Sequence, residues 1–184
     1  MTLISTERYI LENPGTTENP APPEQQPVTS AIEVPSELTQ ALDRVIGLAA
    51  SDIAVFDRDL ADGGWNAVPR VDALRAFLLA HRNTRLQIVV HETSHVEGHL
   101  PRLCLLLRDF GHKFSLLRTV DDARTVSDAF LIADGRHVVH RFHQDRFRGE
   151  MALFAPVKAR QLHDRFDSIL PFTEPGVNAT LTGL

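Results

Sequence analysis

Three short, unbroken apolar runs limit what this chain can fold into more than any other feature. They are "DIAVFD" (52–57), "LQIVV" (86–90) and "HKFSLLRT" (112–119). Each is too short for a core helix. Each carries apolar residues at consecutive rather than alternate positions, as a strand buried on both faces does. Helical patterns lie between them. "PRVDALRAFLLAHR" and "PRLCLLLRDF" both open on Pro, which suits the first helical position, and Gly111 suits the end of the second. A further helix, "SELTQALDRVIGLAA", starts at Ser36 as its predicted N-cap. The order is βαβαβ, which predicts a parallel sheet covered by helices.

After the third run the style changes. "DAFLIA-DG-RHVVHRF" reads as two strands joined at Asp134-Gly135, a hairpin turn of the type that needs positive φ at both positions. "MALF" is a candidate strand, and Pro156 opens a last helix, "PVKARQLHDRFDSIL". The expected fold class is α/β, a parallel βαβαβ core continued by an antiparallel hairpin, with helices on both faces.

The ends read differently. Residues 13–35 hold six prolines among mostly polar residues, a composition that cannot bury a core. The expected division is a disordered N-terminal segment and linker over 1–35, one domain over 36–172, and an irregular tail over 173–184. Residues 1–35 contain one Arg and five Glu, so most of the net charge of -5 sits there and the remainder is near neutral. Global charge therefore points to neither nucleic acid nor membrane. No apolar run approaches the length of a membrane span. The first residues hold Glu7 and Arg8 and lack the apolar stretch of a secretory signal. The lone Cys104 excludes an internal disulfide and fits the reducing cytoplasm.

"HETSHVEGH" (91–99) spells the His-Glu-x-x-His spacing of zinc proteases. That chemistry needs both His on one face of a continuous helix. Here a strand-like run precedes His91, Gly98 interrupts, and Pro101 is placed to start a helix. The extended zinc motif also wants a His where Pro101 stands. The stretch reads as a strand-to-helix loop, and a zinc hydrolase is the third-ranked expectation.

The arrangement of "DIAVFDRDLADGGW", "RVDALRAFLLAHRNTRLQIVVHE" and "DAFLIADGRHVVHRFHQDRFRG" resembles one half of the phospholipase D superfamily, over roughly residues 38–172. The last stretch resembles the strand pair carrying that family's H-x-K-x-x-x-x-D signature. With its Asp set on Asp134, Ser127 falls on the nucleophilic His and Ala129 on the phosphate-binding Lys. A shift by one residue gives Asp128 and Phe130 instead. The resemblance thus implies a degenerate site that lacks both imidazole and cation. Single halves of that family commonly pair, which implies a homodimer. The chain is also similar to uncharacterised bacterial domains, some placed behind an acetyltransferase domain, a position the Pro-rich linker suits.

Function must then be argued from side chains where strands end. The expected binding residues are Asp57, Arg58, His91, His140, Arg141, His143, Asp145 and Arg148, with no catalytic residue, no metal ligand and no cofactor. Arg141 and Arg148 can clasp an anion bidentately or pair with nearby carboxylates such as Asp145 and Glu150. Asp57 is either a catalytic carboxylate or a turn cap. Trp65 is either a lid or a packed core residue. Phe142 and Phe147 among Arg leave a weak nucleic-acid signal. The leading expectation is a non-catalytic binding or regulatory module for an anionic ligand or protein partner. The alternative is a phosphodiesterase or nuclease using His140, His143 or His91.

Overall fold

A computed structural model describes residues 26–120 and 125–177. The three apolar runs become β2 (Asp52–Asp57), β3 (Arg85–Val90) and β4 (Phe114–Thr119), and neighbouring runs pair in parallel. The helices between them are α2 (Val68–Ala80), α3 (Ser94–His99) and α4 (Pro101–Asp109). β5 (Ala129–Ala133) and β6 (His137–Arg141) form the expected antiparallel hairpin, and β5 lies antiparallel against β2. Asp134 and Gly135 have φ of 51 and 61, as their turn requires. β7 (Gly149–Leu153) pairs with β6, and α5 (Pro156–Ile169) follows.

The chain departs from the expected boundaries at both ends. β1 (Val28–Ile32) pairs antiparallel with β7, and β8 (Thr173–Pro175) pairs antiparallel with β4. The full order is β1-β7-β6-β5-β2-β3-β4-β8. A low-core composition does not forbid an edge strand, which needs only backbone partners on one side. Pro27 precedes β1, a place where no ladder hydrogen bond is lost. The expectations for residues 1–25 and 178–184 lie outside the described residues.

Strand alternation builds two cores. Ile53, Val55, Leu86, Ile88, Val90, Leu131 and Val139 face the side covered by α1 (Pro35–Leu48) and α2 to α4. Ala54, Phe56, Val89, Phe130, Ile132 and Val138 face α5 through Ala159, Leu162, Phe166 and Ile169. Helices thus cover both faces. α1 begins at Pro35, one residue before the expected Ser36 cap. Its entry is fixed by the Glu37 carboxylate, which accepts the backbone N–H groups of Glu33 at 2.8 Å and Val34 at 3.3 Å. Among the described residues no helix is long and apolar enough to cross a membrane.

The loop expected over 91–100 contains the six-residue α3. His91 lies before it, at the end of β3, with its backbone N–H donated to the Arg58 carbonyl at 2.8 Å. Leu100, at φ -114 and ψ 53, breaks the path between α3 and α4. His91 and His95 therefore do not share a helical side. His95 and His99 do, and their rings stack 4.7 Å apart.

Candidate functional site

The carboxyl ends of β2 and β3 meet the segment that follows β6. The Arg58 carbonyl accepts N–H bonds from His91 and Glu92, which locks the two strand ends together. The Arg58 guanidinium reaches across to Asp145 and also lies 3.6 Å from Asp59. His143 Nδ1 stands 3.5 Å from the same Asp145 carboxylate. Arg58, His143 and Asp145 therefore form one partly exposed rim, and Arg148, also exposed, follows in the same turn with its carbonyl accepting the Phe142 N–H.

Beneath that rim Arg141 is the organising residue, with only 4% of its surface exposed. It follows Val139 by two positions on β6, so it points to the side of the sheet covered by α1 and α2. Its Nη2 donates to Asp62 at 3.0 Å and to the Gln144 carbonyl at 2.5 Å. Its Nε donates to the Arg146 carbonyl at 3.3 Å, and its guanidinium lies over the Phe147 ring at 5.3 Å. Nη1 is 3.9 Å from Asp57. One side chain thus ties the 142–148 turn to the β2–α2 loop.

Asp57 takes the capping role. Its Oδ1 accepts the backbone N–H groups of Asp59 at 3.3 Å and Leu60 at 3.1 Å. Burial pushes its carboxyl above the ordinary value, against the opposing pull of Arg141 and of those two N–H groups. Trp65 packs down rather than standing as a lid: it is 2% exposed, with the Arg70 guanidinium 5.4 Å from its ring. Arg70 is itself buried, paired with Asp43 at 2.7 Å and bonded to the carbonyls of Gly63 and Thr39. Together Asp57, Asp62, Trp65, Ala129 and Arg141 line a narrow crevice of about 290 Å³. Of the two residues at the signature positions, Ala129 lines this crevice, and Ser127 lies before β5.

His91 and His140 lie on the other face. The His91 ring is buried edge-on against Phe56. Its Nε2 is 2.7 Å from the Val126 carbonyl, and since a carbonyl only accepts, that nitrogen carries the proton. Nδ1 then meets the Thr119 hydroxyl at 2.7 Å. His140, opposite Phe130 in the hairpin, places Nε2 3.1 Å from Asp128 Oδ2. Arg165 of α5 stands 2.8 Å from the other oxygen, Oδ1, as an ion pair without hydrogen-bond alignment. Burial pushes the Asp128 carboxyl up, but His140 and Arg165 outweigh it and hold it below the ordinary value.

The eight expected binding residues are thus split. Asp57, Arg58, Arg141, His143 and Asp145 come together, Arg148 is exposed opposite Phe142 and pairs with none of them through its side chain, and His91 and His140 are across the sheet. Asp62 and Arg165 escaped sequence reasoning. Both sit in ordinary polar contexts, and only the packing of distant segments makes them partners of Arg141 and Asp128. Arg141 takes Asp62 instead of the local carboxylates, because Asp145 belongs to Arg58 and Glu150 to Lys158. Among the described residues no group of three His, Cys, Asp or Glu is placed to hold a metal ion.

Asp134 does more than shape its turn. Its carboxylate accepts the backbone N–H groups of Ala50, Ser51 and Asp52 at 2.8 to 3.0 Å, and the Ser51 hydroxyl at 2.9 Å. Burial alone would raise this carboxyl, yet these donors hold it below the ordinary value. It therefore pins the hairpin turn to the junction of α1 and β2.

Solved structures share this architecture. A phospholipase D family member, Nuc from Salmonella typhimurium, superposes with a TM-score of 0.57 at 13% identity, covering 81% of this chain and 97% of that one. NucT from Helicobacter pylori gives 0.53 at 12% identity, with 82% and 99% covered. TrmBL2, an archaeal chromatin protein that binds DNA, gives 0.59 at 12% identity over 80% of this chain. This chain spans about half of TrmBL2, 55% of its length. No curated protein sequence matches. The fold is phospholipase-D-like, as the resemblance in the arrangement of these stretches implied. The family model described as "Domain of unknown function (DUF7931)" matches residues 34–173, most of the chain, and the protein belongs to that family.

Proposed function

We propose that this domain is a phospholipase-D-like binding or regulatory module without phosphodiesterase chemistry. It engages an anionic ligand or an acidic protein partner at the carboxyl ends of β2 and β3. The observation that carries this reading is the engagement of Arg141. The one cation lining the crevice is held by Asp62, by Asp57 and by two carbonyls of its own turn, so it has no fork left for a phosphoryl group. Ser127 and Ala129 at the signature positions supply neither imidazole nor ammonium. The surface segment carrying His143 and Arg148, with the solvent-facing Arg58–Asp145 pair, remains for recognition. DNA binding by TrmBL2 is compatible with a nucleic-acid ligand at such a rim.

A second reading, a phosphodiesterase with replaced residues, draws on the Asp128–His140–Arg165 cluster. There a carboxylate orients an imidazole beside a guanidinium, a grouping able to move a proton next to an anion. One assay separates the two. Full-length protein, freed of contaminating nucleases, is incubated with bis-p-nitrophenyl phosphate with and without divalent cations. The binding module gives no turnover above buffer. Turnover that follows the protein through gel filtration and disappears in His140→Ala establishes the enzyme and removes the module.

A further inference from the structure

A broad groove lies at the opposite end of the sheet. It opens to solvent where the turn after α2 and the turn before β4 meet the amino ends of β3 and β4. Its charged lining is basic: Arg82, Arg85 and Lys113, joined by His112 and by neutral Asn83 and Gln87. No Asp or Glu lines it. Arg82 and Arg85 are exposed, and among the described residues neither has an ion-pair partner. The nearest acidic influence is Asp52, beside Arg85 in the sheet register, whose carboxyl feels the Arg85 charge.

The groove has a rigid floor. Lys113 Nζ donates to the carbonyls of Leu78 and His81 at 2.7 Å, and the single proton of the Thr84 hydroxyl lies between the same two carbonyls, 3.2 and 3.0 Å away. These bonds satisfy the end of α2 and hold the 81–84 turn, so Arg82 and Arg85 project from a fixed base. α5 packs mainly over β5, β6 and β2, which leaves Gln87 and Ser115 half-buried at the groove. The cations follow a row: Arg82 and Arg85 lead into β3, and Lys113, next to His112, leads into the adjacent β4. The Leu86 N–H bond to the Lys113 carbonyl at 2.9 Å holds the two approaches side by side.

We propose that this groove binds a phosphate-bearing polyanion, read through its charges. A row of cations without a converging fork suits a chain of phosphates better than a single one. Of the aromatic lining residues Phe114 is 1% exposed, and His112 is the one exposed ring, so charge rather than an extended stacking platform dominates the lining. The protein as a whole is acidic, with net charge -5, so attraction must arise from this local field and be sensitive to salt. The inference is independent of the rim at the other end of the sheet.

Fluorescence polarisation of the full chain with labelled inorganic polyphosphate and labelled oligothymidylate, over a series of salt concentrations, tests it. Arg82→Ala/Arg85→Ala weakens binding about tenfold at low salt and lowers the log–log salt slope by ~1.4, two single-strand phosphate contacts. Arg44→Ala, at an exposed cation of α1 outside the groove, leaves binding unchanged. Capture of both probes supports a general phosphate chain, and capture of one names its source. Absence of salt-dependent binding to either probe, or binding unaltered in the Arg82/Arg85 variant, overturns the proposal. Circular dichroism and urea midpoints confirm folding, which these exposed positions leave intact.

Discussion

Replacing Arg141 tests whether this residue holds the domain together or recognises a ligand. Arg141→Met keeps the length of the stem and removes the guanidinium. The structure loses the bond to Asp62 at 3.0 Å, the bonds to the Gln144 and Arg146 carbonyls, and the 3.9 Å approach to Asp57. Asp62 is partly open to water and recovers solvation, but Asp57 is left as a buried carboxylate without its cation. Breaking one side of such a pair costs about 3–5 kcal/mol. For a domain of this size that lowers Tm by roughly 10 °C. Burial already raises the Asp57 carboxyl, and removing Arg141 raises it further. The deficit therefore shrinks as pH falls and Asp57 protonates in the folded variant. Urea unfolding of both proteins at neutral and acid pH measures this. If Arg141→Met unfolds within about 1 kcal/mol of the parent at neutral pH, the structural role is refuted, since that loss is below what a broken buried pair costs.

Two further substitutions probe the frame around the crevice. Asp134→Asn tolerates the positive φ but loses the charge that four donors stabilise, and lowers stability by about 2 kcal/mol at neutral pH in urea unfolding. Because the folded carboxyl titrates below its ordinary 3.8, the parent's advantage is complete above that pH and vanishes as pH falls through the folded value; a gap that does not narrow in acid contradicts the linkage. Gly63→Ala places a methyl group 2.6 Å from Leu42 Cδ1 at a φ of 80, and costs about 1–3 kcal/mol in thermal unfolding, whereas an unchanged Tm contradicts the fit.

The parallel core was legible because its signal is local. Continuous apolar runs mark doubly buried strands, and Pro and Gly punctuate the helices between them. β1 was hidden for the opposite reason: Val28–Ile32 is exposed over four of five residues and is held by backbone pairing to a strand far along the chain. α3 was read as loop because Gly98 and Pro101 argue against a long helix, and six residues are enough to join β3 to α4 without one. At the site, the residue types were visible but their sides were not. Arg141 and His140 are sequence neighbours, so the pleat sends them to opposite faces. Each then meets a carboxylate, Asp62 or Asp128, that no spacing rule connects to it.

The first strand of the sheet finds its mate very late. Val28 faces Leu153, 125 positions onward. As the polypeptide emerges during synthesis, β1 stays unpaired until nearly all the remaining strands exist, while β2, β3 and β4 can already zip together. Completion of that outer border is therefore expected as a closing event of folding, slowed by the large loop it must shut. Until then β7 presents its backbone as the temporary margin, the place where nascent chains are most prone to cling to one another.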